Sequence, residues 1–271
     1  MMAVAGREAA QLVPTSHVML HRAWMGILIV VAMAFATGAG SRALGTQRIG
    51  LHGLRNAVHF IAQWLWFWAL TQIPLADVFA LEMTIPLWLA VFAPLMLGER
   101  LSLGRVLAVL MGFAGVLIVL RPAGAGINAG AAAALGCAIG FALSVVVVKK
   151  LTRTDGPLAI LFWMCVIQTV YGIIAGWQQL AVPSLHAMAW LAAVAFCGIA
   201  AHYCMTRAIA LADTLTVAPM DFLRLPVIAL VGLVVYNEAL DGWVLLGGAV
   251  IALGNIINIV GEQRSRPAGP R

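Results

Sequence analysis

The feature that most constrains this chain is a succession of long apolar runs separated by short breaks rich in charge and turn residues. A helix crossing a bilayer needs about 20 mostly apolar residues, because the hydrocarbon core is roughly 30 Å thick and each residue rises about 1.5 Å. Runs of this kind occupy residues 24–40, 53–71, 76–97, 103–120, 127–148, 157–177, 187–209, 214–236 and 242–261, and they predict nine membrane-spanning helices. Composition agrees: 63% of the 271 residues are hydrophobic and 10% are charged, against roughly 45–50% and 25% in a soluble domain. The breaks, such as Arg121-Pro122-Ala123-Gly124 and Asp155-Gly156-Pro157, are too short to hold a soluble domain. The predicted class is therefore an all-α integral membrane protein, and a soluble enzyme is excluded.

The formal net charge is +6, but the basic residues stand singly between apolar runs instead of forming one solvated patch, so nucleic acid is not an expected partner. They read as a topology signal. With loops assigned alternately to two sides, one side collects Arg42, Arg48, Arg55, Arg100, Arg105, Lys149, Lys150, Arg153, Arg264, Arg266 and Arg271, and the other Arg7, Arg22 and Arg121. That asymmetry predicts a cytoplasmic C-terminus and an N-terminal tail on the far side. The first run, after Arg22, has the small-residue exit Ala39-Gly40-Ser41 of a signal peptide, yet further spans follow and it reads as a retained helix. Cys137, Cys165, Cys197 and Cys204 lie inside apolar runs without a CxxC pair, so neither a disulfide framework nor a metal site is expected.

Sliding the sequence against itself gives a match at a shift of 139 residues: Trp24-Met25 on Trp163-Met164, Glu82 on Asp221, Leu97-Gly98-Glu99 on Tyr236-Asn237-Glu238, and Gly115 on Gly254. Arg100 and Arg105 fall on Ala239 and Val244, so the same turn is basic in one copy and uncharged in the other. An inverted repeat with an odd number of helices produces that contrast, because equivalent turns then face opposite sides of the membrane. The second copy has five helices, beginning with 127–148. Its counterpart at the start of the first copy would lie before residue 10, in a segment carrying Arg7-Glu8-Ala9-Ala10-Gln11, and is expected to be missing.

The segments Ile73-Pro74-Leu75-Ala76, Pro86-Leu87-Trp88, Leu97-Gly98-Glu99-Arg100 and Gly112-Phe113-Ala114-Gly115-Val116-Leu117-Ile118, ending in Arg121-Pro122, resemble the EamA family of the drug/metabolite transporter superfamily. A weaker second copy runs through Ala218-Pro219, Pro226-Val227-Ile228 and Asn237-Glu238, and the resemblance covers roughly residues 15–262. It implies a helical bundle of two inverted repeats and the movement of small organic metabolites across the inner membrane, with no cofactor. On this reading residues 1–23 are a short N-terminal tail, 24–121 the first repeat with four helices, 122–262 the second with five, and 263–271 a basic C-terminal tail. Family members usually have ten helices, so the resemblance also implies either a start placed too far downstream or a truncated member.

Charged groups near the bilayer centre cost about 2.5–3.5 kcal/mol on insertion scales, so each needs a partner or a wet cavity. Glu82, Asp221, Arg224 and Arg207 are such residues; Asp221 and Arg224, three apart, share a helix face. Pro226 follows them and Pro86 stands in the matching helix, where prolines leave carbonyls needing other partners. On the preceding helix Arg55, His59, Gln63 and Trp66 form one stripe, and the repeat brings His202 opposite Gln63. Candidate substrate-binding or gating residues are thus His59, Gln63, Trp66, Glu82, His202, Asp221 and Arg224.

For each candidate the bland alternative is a fixed salt bridge or a satisfied packing residue. The run Trp64-Leu65-Trp66-Phe67-Trp68 reads as an interfacial aromatic belt, or as a stacking surface for an aromatic amino acid, nucleobase or flavin. Glu99 and Glu238 read as helix-end caps. Gly136xxxGly140 and Gly172xxxGly176 admit close helix contact, within the bundle or in a homodimer. With no HExxH, GxSxG or P-loop, an enzyme is not expected. The partners expected are the lipid bilayer and a small-molecule substrate. Two other classes remain in view: an integral membrane enzyme using His59 or His202 as a base, and a nontransporting helical subunit.

Overall fold

The computed structural model describes residues 1–97, 103–120, 128–179, 182–211, 224–239 and 241–265, and within them no strand occurs. Eleven α-helices follow in order: α1 Met2–Leu12, α2 Thr15–Ala36, α3 Ile49–Gln72, α4 Leu75–Glu82, α5 Ile85–Leu97, α6 Leu103–Leu120, α7 Ala129–Leu151, α8 Pro157–Gly176, α9 Leu185–Leu211, α10 Arg224–Tyr236 and α11 Gly242–Ser265. A 3₁₀ turn, Ser41–Leu44, precedes α3. Prolines punctuate the chain where they cost least. Pro14 and Pro74 cap α2 and α4, and Pro157 opens α8, positions that need no intrahelical N–H donor.

Large apolar side chains face outward on many helices. Leu28, Phe35, Ile61, Ile174, Phe196, Val234 and Leu253 are all more than half exposed, which in water would be an aggregation hazard and in a bilayer is the lipid-facing surface. Among the described residues, five helical stretches, Thr15–Ala36, Leu75–Met96, Ala129–Leu151, Pro157–Gly176 and Leu185–Met205, are long and apolar enough to cross a membrane. The chain is a multi-pass helical membrane protein.

Three expectations need correction. Residues 1–23, read from the sequence as a short N-terminal tail, form α1 and the first turns of α2. The shift of 139 puts Met2–Leu12 on 141–151, the second half of α7, so an 11-residue helix occupies the position that the polar Arg7-Glu8 pair made look empty. Arg7 is accommodated there because its Nε donates to the Leu70 carbonyl at 2.7 Å. Second, Arg22 and Arg55 are not loop charges; they lie within α2 and α3 at 3% and 5% exposure. With Arg7 also inside a helix, the Lys/Arg asymmetry between the two sides falls from eleven against three to ten against one. Third, the span at 76–97 is broken into α4 and α5, with Pro86 as the second residue of α5 instead of the middle of one helix.

The chain divides into two compact units. The first comprises residues 1–71 and 147–213. In it α2 packs on α8 and α9, and α1 on α9. Val30, Leu161, Met164, Cys165 and Ile199 form its apolar core. α2 and α8 are counterparts in the repeat, and they meet closely: a Cβ at Gly172 would lie 2.9 Å from the Leu20 Cα, and one at Gly176 3.3 Å from the Ser16 Cβ. That small-residue spacing therefore serves a contact inside the unit.

The second unit comprises residues 72–146 and 214–271. Its counterparts α6 and α11 lie along each other. At their crossing a Cβ on Gly115 would lie 2.7 Å from the Gly247 carbonyl oxygen, and one on Gly247 2.7 Å from that of Gly115, so neither backbone admits a larger residue. α4 packs on α6, α10 and α11.

Candidate functional site

Helix α3 is 24 residues long, about 36 Å at 1.5 Å per residue, yet it is absent from the spans picked out by apolarity. The reason lies on one face. His52, Arg55, Asn56, His59 and Gln63 recur at spacings of three and four, and each is at most 5% exposed. Burying five polar side chains is costly unless they are hydrogen-bonded, and the first unit supplies partners from α2, from α9 and from the turn before α8.

Arg22 of α2 is the centre of this arrangement. Its Nη2 donates to Gln63 Oε1 and Gln168 Oε1, each at 2.5 Å, so one guanidinium nitrogen ties α2 to α3 and α8. Its Nη1 reaches α9, where a Cβ on Gly198 would stand 3.4 Å away. Arg55 Nη1 donates to Asn56 Oδ1 at 2.8 Å, and Asn56 Nδ2 donates to the His52 carbonyl at 2.8 Å. His59 and His202 meet edge to face with ring centroids 5.5 Å apart. Arg22, Arg55, His59 and His202 all lie within coulombic range of one another. Three donors in this group are buried without an acceptor: Arg22 Nε, Arg55 Nε and Gln168 Nε2. Neither guanidinium has a carboxylate partner among the described residues.

Aromatic rings flank the cluster. Phe60 lies 6.0 Å from Trp64 and 5.7 Å from Tyr171, and the Tyr171 hydroxyl donates to the Gly53 carbonyl at 3.4 Å. Trp66 is 5% exposed and packs edge-on against Phe67 at 5.1 Å. It is thus an interior ring of the first unit, not a lipid-facing member of an aromatic belt.

A separate polar knot closes one end of the same unit. His52 Nε2 pairs with Asp155 Oδ2 at 2.7 Å, and Thr46 Oγ1 donates to that oxygen at 2.5 Å. Asp155 lies in the turn between α7 and α8, so the pairing latches that turn to the start of α3. Burial alone would raise the Asp155 carboxyl, but hydrogen bonds from His52, Thr46 and Thr154, with the nearby His52, together hold it below its ordinary value.

In the second unit the polar groups gather where α4 stops. Glu82 is its last residue, buried at 9%. A proline cannot donate to the carbonyl four residues back, and for Pro86 that carbonyl belongs to Glu82, where α4 ends. Thr84 Oγ1 donates to the Leu81 carbonyl at 2.6 Å, and Asn255 Nδ2 of α11 donates to the Met83 carbonyl at 2.9 Å. At the other end of α4, Glu238 Oε2 accepts the Leu75 N–H at 2.9 Å. Glu238 is a helix cap, though for the start of α4 and not for the helix that follows it in sequence. A carboxylate at a helix N-terminus also meets the positive end of the dipole.

Of the sequence candidates, the structure brings His59 together with His202, and Gln63 with Arg22. Trp66 lies on the same helix, Glu82 belongs to the second unit, and Arg207 is exposed on α9. Asp221, Glu99 and the side chain of Arg224 lie outside the described residues. Arg22 and Gln168 were missed. Arg22 sits two residues before an apolar run drawn from 24 and so passed for a loop charge. Gln168 offered a legible signal as the one amide side chain inside the run 157–176.

Comparison with known proteins accords with this architecture. The profile of the EamA-like transporter family matches residues 1–121 and 128–260. A riboflavin transporter of Vibrio cholerae is 31% identical over 232 residues, covering 84% of this chain and 77% of its own. An S-adenosylmethionine uptake transporter of Rickettsia prowazekii is 25% identical over 236 residues, covering 87% and 80%. A pseudopaline exporter of Pseudomonas aeruginosa is 23% identical over 252 residues, covering 92% and 88%. A solved crystal structure aligns with 99% of this chain and 94% of its own at a TM-score of 0.70 and 22% identity, a likeness of fold. With two matched segments that together span nearly the whole sequence, the chain belongs to the EamA-like transporter family.

Proposed function

We propose that this chain is a secondary transporter that moves a small organic metabolite across the inner membrane by alternating access. The observation that carries this reading is the buried polar cluster of the first unit. Arg22, Arg55, His59, Gln63 and Gln168 lie in helices whose outer faces are apolar, and polar side chains kept inside a membrane bundle at such cost mark a substrate or ion pathway. The break after Glu82 supports it too, since discontinuous helices recur at transporter binding sites. In this reading His59, Gln63, Trp66, Glu82, His202, Asp221 and Arg224 contact substrate or form gates, and residues 24–121 and 122–262 are the two repeats.

The named relatives act on riboflavin, S-adenosylmethionine and pseudopaline, and both uptake and export occur among them. The test is flux through the full chain reconstituted in liposomes, with riboflavin and S-adenosylmethionine as first substrates and an imposed proton gradient as the drive. Saturable uptake that Glu82→Gln or Gln63→Leu abolishes supports the reading. Absence of flux for these and for a wider metabolite screen, with the protein correctly inserted, overturns it. A reporter fused after Arg271 that is active only outside the cytoplasm overturns the proposed cytoplasmic C-terminus.

A further inference from the structure

Two guanidiniums lie inside the first unit at 3% and 5% exposure, and neither is balanced by a carboxylate among the described residues. Among the described residues, Arg22 is held by the Gln63 and Gln168 amides and Arg55 by the Asn56 amide. Amide oxygens orient a guanidinium but supply no negative charge. The groups within coulombic range, His59, His202 and Cys165, add none in their ordinary protonation states. What the cluster lacks among the described residues is specific: acceptors for Arg22 Nε, Arg55 Nε and Gln168 Nε2, all buried and unsatisfied, together with a compensating anion. A carboxylate or phosphate supplies both, and guanidinium is the side chain best shaped to hold either.

Depth separates two sources of that anion. Gln63 and Gln168, the residues that hold Arg22, stand at least eight residues from either end of α3 and α8, about 12 Å along the helix. A lipid phosphate stays at the membrane surface, whereas a transported solute must pass the midplane. We propose that Arg22 and Arg55, with Gln168, form the recognition site for an anionic group of the transported molecule, so that the substrate class is an organic anion carrying a carboxylate or phosphate. This rests on the transport reading, and it goes further by naming the charge of the substrate.

The test is equilibrium binding to the full chain in phosphatidylcholine nanodiscs, using two pairs of probes that differ in one ionised group. The pairs are riboflavin 5′-phosphate with riboflavin, and benzoate with benzamide. The expected result is at least tenfold tighter binding of the anionic member in one pair or both. Arg22→Gln and Arg55→Gln should each bring that ratio close to one, whereas Arg22→Lys and Arg55→Lys keep part of it. No preference in either pair, including no binding at all, overturns the proposal, as does a preference that survives both Gln substitutions. The wild-type ratios need no variant, so a variant that fails to fold does not blunt the test. Competition by phosphatidylglycerol at high salt would assign the site to lipid headgroups and also overturn it. Binding is read without flux. A chain that binds anions and moves nothing overturns transport alone, and one that moves substrate without anion preference overturns this inference alone.

Discussion

Both units use close glycine contact between counterpart helices, at Gly172 and Gly176 in the first and at Gly115 and Gly247 in the second, and the first adds a buried guanidinium cluster. In the second, α6 and α11 meet at Gly115 and Gly247 with backbone against backbone, the close approach by which membrane helices associate when lipid is as apolar as leucine. In the first, α2, α3 and α8 are joined through one guanidinium nitrogen of Arg22 and the amides of Gln63 and Gln168. Glycine contact gives tight packing but recognises nothing. A polar cluster with unsatisfied donors packs less economically and has something to offer a ligand. The difference teaches where to look for specificity in a bundle whose sequence is apolar almost throughout.

Substitution at the glycine crossing is the severest way to probe that contrast. Gly115→Val brings branched carbons against the Gly247 carbonyl, already within 2.7 Å of an added Cβ, and overpacking of this kind costs roughly 1–3 kcal/mol or more. The expected outcome is loss of folded protein from the membrane, read by accumulation and by thermal melting in detergent. Normal accumulation would show that the two helices slide freely past each other.

Next in size is the knot at Asp155. Asp155→Ala leaves His52 Nε2 and Thr46 without their acceptor, and an orphaned buried group costs about 1–3 kcal/mol. The pH dependence has a definite sign. Since the folded carboxyl is held below its ordinary value, its contribution is complete above the unfolded value near 3.9 and is lost as pH falls through the lower folded value. Melting of the wild type should fall below about pH 4, with a smaller fall for Asp155→Asn. Identical acid profiles would remove the latch from the account.

Glu238→Ala strips the cap from α4 and should cost about 1 kcal/mol, with Glu238→Gln costing less because the amide oxygen still accepts the Leu75 N–H. Equal melting temperatures for all three would mean that the α4 start needs no side-chain cap. The smallest stability effect belongs to the first unit. Gly198→Ala adds a methyl at ordinary contact distance from Arg22 Nη1, 3.4 Å, inside a helix where alanine is the better former. Stability should change by less than about 1 kcal/mol, and transport should change little, because the guanidinium keeps its place. If Gly198→Ala destabilised as severely as Gly115→Val, the contrast between the units would collapse.

Much of this protein was legible without coordinates, because lipid imposes a length on every apolar run and a turn on every break. The membrane class followed from that rule, as did most of the long helices and the shift of 139 that pairs α2 with α8 and α6 with α11, whereas α1 and the break between α4 and α5 did not. The stripe of His59 and Gln63 was legible too, since a period of three and four puts polar residues on one helix face. Glu238 was recognisable as a cap but not as the cap of α4, because its acceptor role joins residues 163 apart in sequence. Arg22 defeated the sequence for the same reason. A basic residue at the edge of an apolar window reads as a loop charge until Gln63 and Gln168, 41 and 146 positions away, are seen to hold it inside. Hydropathy reports how much of a helix dislikes water. Which few polar atoms are kept from water, and who satisfies them, is decided by neighbours that only the packed helices bring within hydrogen-bond reach.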